Sequence, residues 1–405
     1  MDRVILHCDL NNFFASATLA GNPTLKTLPV AICGDAKKRH GIVLAKNTVA
    51  KNFGVLTAET IWEAKRKCPE LVILPPDYKL YEELSKKVQK IYLDFSDRVE
   101  PFGIDECWVE ITNPNMDFAL GEQIANKIRT RVKAECGVTV SVGVSFTKTL
   151  AKLGSDIKKP DAVTVIDKNF FVNVIYKMPC SDLLMVGRST AKTLKAMGIF
   201  TIGDLAAANE TALLQKLGKN GLTLIKMAKG EDNDAVKSYY EHEKPKSISH
   251  SATAEKDLTE ESEIFAAFIE FAEGVCYKLR KENLLAGTVA IHTLTSDFEG
   301  REYRTPLETP TDISMTIAKA AMELFKKNNC LKTPLRAVGV KAVNLVEKAD
   351  AKQLSLFENA NDTLAEQNLE KEILDIRSKY GHNSLKRAVC INNKAKPSSP
   401  GFYKK

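Results

Sequence analysis

Several things are scarce or missing in this chain of 405 residues. No run of about 18 apolar residues occurs, so no membrane span is expected. The opening segment, MDRVILHCDL, has an early acidic residue and a charged, strand-like character, which does not read as a signal peptide. The nine cysteines are odd in number and scattered, and no two are spaced C-x-x-C. That speaks against a disulfide framework and against a zinc site, and it leaves reduced thiols in a cytoplasmic protein. The six histidines do not cluster. Charge of one sign is also in short supply. The net charge is only +7, which permits a polyanionic partner without demanding one.

What is present is ordinary for a globular protein, with 44% apolar and 27% charged residues. The length suggests two to four domains, each large enough for its own core. Residues 3–9 read as a buried strand ending on an acid. Residues 42–53 and 58–67 read as helices with basic outer faces. A long amphipathic helix is expected from Tyr78 to Phe95, a strand over 107–112 and a second amphipathic helix over 118–135. Strands at 138–145 and 162–166 flank a helix near 148–158. That alternation predicts a ferredoxin-like sheet with helices on one face. Residues 167–232 read as all-helical, 233–245 as a polar linker, and 246–345 as two helices among strands. Beyond 346, residues 358–362 read as loop, 364–380 as an amphipathic helix that packs on its own domain, and the last stretch as disordered.

The first constellation with chemical content is Asp9 at the end of an apolar strand, with Asp105 and Glu106 at an expected tight hairpin. Taken singly, each acid reads first as a cap or turn residue. Three carboxylates converging on one sheet edge would repel one another unless a cation neutralised them. Hard oxygen ligands with open positions suit Mg²⁺.

HCDLNNFFA (7–15) and GIDECWVE (103–110) together resemble the two acidic motifs of the Y-family of translesion DNA polymerases, in the bacterial DNA polymerase IV-like branch. The resemblance runs in order from residue 1 to about 345. It implies an α+β multidomain right-hand polymerase. The ferredoxin-like palm would take residues 1–10 and 75–166, and small fingers 11–74. A helical thumb with a helix-hairpin-helix would take 167–232, and an α/β little finger 246–345. It implies Asp9, Asp105 and Glu106 as catalytic residues that hold two Mg²⁺ ions with the Leu10 carbonyl. Phe14 falls at the steric-gate position, where a ring excludes a ribose 2′-hydroxyl. With Phe13, Thr48, Lys51 and Lys159 it makes up the expected nucleotide-binding set. Thr48 and Lys51 stand where the family usually has Tyr and Arg, and Lys51 keeps the charge without the planar fork.

MVGRSTAKTLKAMGIFTIGDL (185–205) resembles a helix-hairpin-helix, with Gly187, Arg188, Ser189 and Thr190 offered to DNA phosphates. Met185 replaces its usual first glycine. The little finger is usually basic, yet 246–345 carries 13 basic against 14 acidic residues. Gln353, Leu354, Leu356 and Phe357 belong to a Q-L-x-L-F peptide that resembles a sliding-clamp-binding motif. The resemblance therefore predicts a monomeric, cytoplasmic DNA-directed DNA polymerase. Its partners would be primer-template DNA, deoxynucleoside triphosphates and a sliding clamp, and it would have no proofreading site. Two rivals stay open: a catalytically silent clamp-bound scaffold, and a nucleotide cyclase on the same kind of palm.

Overall fold

The computed structural model describes residues 3–35, 41–113, 117–241, 243–349, 360–381, 384–391, 393 and 395. The chain divides into two compact units, a first of residues 1–34 and 41–242 and a second that takes in residue 243 onward.

In the first unit β1 (Ile5–Leu10) is buried along its whole length, as an apolar strand between two neighbours must be. After α1 (Phe13–Ala20) the chain builds a small three-stranded sheet from β2 (Val30–Cys33), β3 (Val43–Lys46) and β4 (Val72–Leu74), ordered β3-β2-β4. Two short helices, α2 (Thr48–Asn52) and α3 (Ile61–Lys67), lie between β3 and β4. The helix expected over 42–53 is therefore half strand. Residues 43–46 pair with β2, with Ile32 opposite Ala45. Asn47 then caps α2 by accepting from the Ala50 N–H, so the helix begins only after it. The helix expected at 58–67 starts at Ile61 for the same reason, because Thr60 and Glu63 form a capping box.

The main sheet follows. It uses β5 (Val99–Pro101), β6 (Glu106–Glu110), β7 (Val140–Ser145) and β8 (Val163–Ile166) in the order β5-β6-β1-β7-β8. Only the β7–β8 pair is parallel. The connecting helices are α4 (Tyr78–Leu93), α5 (Phe118–Cys136) and α6 (Lys148–Ile157). Side chains alternate across a strand. Leu6, Cys8 and Leu10 share a core with α4 and α5. Ile5 meets Ala151 of α6 in a separate cluster. Helices thus lie on both faces rather than on one. Gly143 permits this, since a Cβ there would come 1.9 Å from the Ala151 carbonyl oxygen.

Five helices complete the unit: α7 (Lys168–Asn173), α8 (Arg188–Ala196), α9 (Ile202–Ala206), α10 (Glu210–Leu217) and α11 (Lys219–Lys229). The segment after α11 reads as a linker, but its first part is fastened to the main sheet. Asp232 accepts from Thr149 Oγ1 at 2.8 Å, and Glu100 accepts from the Lys237 N–H at 3.0 Å. Val236 is buried with Ile5 and Trp108. A cleft of about 720 Å³ runs beside this segment. Two of its cations, Lys148 and Arg98, already pair with Glu100 and Glu110.

The second unit is a four-stranded antiparallel sheet. Its strands are β9 (Ser247–Leu258), β10 (Leu284–Thr295), β11 (Gly300–Thr311) and β12 (Leu335–Glu347), in the order β11-β10-β12-β9. Two helices pack on it, α12 (Glu261–Lys281) and α13 (Ser314–Lys327). A last helix, α14 (Ala360–Tyr380), begins within the expected loop at 358–362. It packs on its own unit, where Glu370 bonds Arg280 and Ser314. Two residues of the terminal stretch expected to be disordered, Asn393 and Ala395, are packed. Cys390 and Ala395 enter the core of this unit, and Asn393 donates to Glu270 at 2.6 Å. All nine cysteines are free thiols.

Candidate active site

β1 and β6 run antiparallel with Asp9 opposite Glu106. A hairpin leads from β5 into β6, turned at Gly103 with φ +90° and closed by the Phe102 N–H donating to the Glu106 carbonyl at 2.8 Å. Asp105 is the last residue of that turn, and its carbonyl accepts from the Leu10 N–H at 3.0 Å. Backbone pairing therefore brings the three acids, nearly 100 positions apart in the chain, to one sheet edge.

Their charges are not equivalent. Burial raises the Asp105 carboxyl to about 6, with Asp9 and Glu106 adding repulsion. Burial also raises Asp9, partly offset by Lys159, which donates to it at 2.7 Å and to Asp156 at 2.9 Å. Burial pushes Glu106 up too, but bonds from His7 and Lys152 outweigh it and hold Glu106 at about 2. His7 is fully buried, and burial lowers its imidazole. Its Nε2 lies 3.1 Å from Glu106 and its Nδ1 2.9 Å from Ser155 Oγ.

Asp9, Leu10 and Asp105 line a cavity of about 310 Å³ together with Asn12, Phe13, Phe14, Leu44, Lys46, Thr57 and Ile104. Glu106 adjoins it but faces Lys152. Among the described residues no three His, Cys, Asp or Glu side chains already form a chelate, because Lys152 and Lys159 hold two of the acids. The donor set still fits a divalent cation. It offers hard oxygens, an Asp105 whose charge is under-compensated, and ammonium groups that a metal could displace.

The impB/mucB/samB family matches residues 8–156, and its C-terminal domain matches 245–356. The DNA polymerase IV of Acetivibrio thermocellus is 44% identical over 97% of this chain and 99% of its own length. The chain belongs to the Y-family of DNA polymerases. DNA polymerase IV 1 of Bacillus subtilis is 35% identical over 99% of this chain and 97% of its own. The fold agrees. A solved Y-family DNA polymerase chimera, Dbh-Dpo4(243-245)-Dbh, aligns with a TM-score of 0.74 at 22% identity. It covers 85% of this chain and 99% of that one.

The other residues expected from the Y-family pattern fall in three groups. Phe14 lines the cavity, and its ring stacks on Tyr81 at 4.3 Å and 7°. Thr18 bonds the Tyr81 hydroxyl at 2.9 Å and so braces that stack from behind. Asn11 is buried and bonds Ser141, Thr139 and the Asp161 N–H. Phe13 touches the cavity but is mostly core, only 3% exposed. Asn12 caps α1 in the left-handed region without a side-chain bond, so the first N–H groups of α1 have no acceptor within the helix. Lys159 joins the site, bonded to a carboxylate.

Thr48 and Lys51 do not line the cavity. They are exposed on α2, a helix of five residues that leaves them on its outer side. Gly187 is the N-cap of α8, and Arg188, Ser189 and Thr190 form its first turn with no side-chain cap. Met185 takes φ +70° and is 54% exposed. It adopts the backbone that a glycine there would supply. Gln353, Leu354, Leu356 and Phe357 lie outside the described residues.

Sequence reasoning missed His7, Lys46, Lys152 and Tyr81. Signals for His7 and Lys152 were there, and one for Lys46 once its segment is known to be a strand. His7 is two residues before Asp9 on a strand, hence on the same face. Lys46 shares a face of β3 with Leu44. Lys148 and Lys152 are one helical turn apart on α6.

Proposed function

We propose that this chain copies DNA from a template, including damaged template, by joining a primer 3′-hydroxyl to the α-phosphate of a deoxynucleotide with release of pyrophosphate. The observation that carries this reading is the meeting of Asp9, Asp105 and the Phe14 ring on one cavity. Asp9, Asp105, Glu106 and the Leu10 carbonyl are the groups that would hold two Mg²⁺ ions. Such ions, when bound, supply positive charge at the attacking and leaving oxygens. Asp105, resisting ionisation until about pH 6 without metal, is the acid whose charge most needs that partner.

Lys159 bonds Asp9 in the free protein; were the acids to hold a cation instead, its ammonium would be available to the phosphates. Phe14, held flat by Tyr81, leaves no room for a ribose 2′-hydroxyl. The open first turn of α8 holds duplex phosphates through backbone N–H groups. The short fingers segment, residues 11–74, supports an open site of low fidelity. The peptide at 353–357 supports tethering to a sliding clamp, which raises the local concentration of primer ends.

Primer extension with Mg²⁺ and deoxynucleotides, comparing wild type with Asp105→Ala, tests the reading. Wild type should extend undamaged and abasic templates, and Asp105→Ala should extend neither. Loss of extension in folded, DNA-binding wild type would overturn it.

A further inference from the structure

Among the described residues, Lys46 is the one cation lining the 310 Å³ cavity. It ends β3, and its ammonium donates to Thr57 Oγ1 at 2.9 Å. Among the described residues it pairs with no carboxylate. In this it differs from four other lysines around the site. Lys152 is held by Glu106, Lys159 by Asp9, Lys148 by Glu100 and Lys67 by Glu59. A lysine ammonium has three donors, and Thr57 takes one. Burial, and then the nearby charge of Lys51, lower its affinity for the proton. The charge of Glu59 offsets this only in part, and that carboxylate is already paired with Lys67, so the half-buried ammonium beside a second cation is an electrostatic cost in the free protein that a bound anion would relieve.

The rest of the cavity indicates which anion. Leu44 lies two residues before Lys46 on the same face of β3, so an apolar group and a cation follow one another along one wall. Phe14 and Ile104 are apolar on the other walls, and Asp9 and Asp105 mark the reacting end. A nucleoside triphosphate has this same division into an apolar base and a polyanionic tail. Lys51 contributes a second positive charge at the Lys46 end, from α2, without lining the cavity.

We propose that Lys46, rather than Lys51, is the fingers side chain that binds the phosphates of the incoming nucleotide. Thr57 holds its ammonium toward the cavity before the nucleotide arrives. The assignment rests on the polymerase reading above, and it adds a residue that the acids and the steric gate do not require.

The test is nucleotide affinity in a complex that cannot react. Full-length protein is bound to a primer-template ending in a dideoxynucleotide, and the Kd of the next correct deoxynucleoside triphosphate is measured with Mg²⁺. Lys46→Ala should weaken binding about tenfold, the size of one charge-assisted hydrogen bond. Lys46→Arg should recover most of that, and Thr57→Val should lose about threefold by releasing the tether. Inorganic tripolyphosphate should compete with the nucleotide on wild type and compete less well on Lys46→Ala, a difference that a role in packing alone would not produce. Equal nucleotide affinity for wild type and Lys46→Ala, or a loss confined to Lys51→Ala, overturns the assignment and leaves the polymerase reading standing. Absence of nucleotide binding by wild type itself overturns both.

Discussion

Two clusters of charge in this protein use similar ingredients to opposite ends. At the sheet edge of the first unit, Asp9 and Glu106 are paired with Lys159 and Lys152, and among the described residues Asp105 forms no ion pair. On the back of α12 in the second unit, Glu273 takes Arg377 at 3.0 Å and Arg387 at 2.9 Å. Glu370 takes Arg280 and Arg387 at 3.2 Å each. The first cluster opens on a cavity and uses lysines, compact point charges on flexible stems that can let go. The second is closed and uses arginines, whose planar forks hold two acids at once. One arrangement can exchange its counter-ions. The other fastens the terminal segment to a helix. The choice of cation, more than the number of charges, separates a site from a staple.

The largest effect should come from the open cluster. Asp105→Ala should lower the primer-extension rate at least about 1,000-fold, roughly 4 kcal/mol in the barrier, with little change in melting temperature. The closed cluster should respond the other way. Arg387→Ala leaves Glu273 and Glu370 short of a partner and should cost about 3 kcal/mol of stability, read by urea denaturation, with primer extension kept below the transition. Lys159→Ala should cost less than about 1 kcal/mol of stability, since that pair is partly exposed. If it unfolds the protein as readily as Arg387→Ala does, the contrast between the clusters fails.

Phe14→Ala should raise incorporation of ribonucleotides relative to deoxynucleotides about 100-fold, roughly 2.7 kcal/mol of lost exclusion. A steady-state comparison of kcat/KM for the two sugars checks this. An unchanged ratio would mean that the Phe14–Tyr81 stack does not face the sugar.

The smallest effects concern Asp105 and pH. Its folded pKa is raised from 3.8 to about 6. In the metal-free protein this favours the folded state below pH 3.8, and the contribution is lost as pH rises through 6. At pH 7 Asp105→Asn should therefore stabilise the metal-free protein by about 1 kcal/mol after allowance for solvent screening, and the gain should disappear near pH 4. Mg²⁺ binding must displace the same proton. Calorimetry should show affinity falling about tenfold per unit below pH 6. A flat pH response would place the shared proton elsewhere.

Much of this was legible in the sequence. The apolar run before Asp9, the hairpin before Glu106 and the periodicity of α4 and α5 are local patterns, and local patterns set element type. The acids, Phe14 and Lys159 could be named because they sit at fixed offsets within motifs. Residues 42–53 were misread because Val43-Leu44-Ala45-Lys46 is apolar enough for either a helix or a strand, and only pairing with β2 and the Asn47 cap decide between them. The same is true of α6. Its amphipathic pattern predicts a helix, but the absence of a Cβ at Gly143 decides which face of the sheet it covers.

What the sequence determined by itself, then, is most of the longer elements, the acidic motifs and the chemistry they permit, because each depends on residues close together in the chain. Which cations hold those acids is a different matter. So is the choice of Lys46 over Thr48 and Lys51 as the residue lining the cavity, and the return of the terminal segment onto α12. Those depend on side chains brought together from 46 to 150 positions apart, and only the tertiary structure sets such distances.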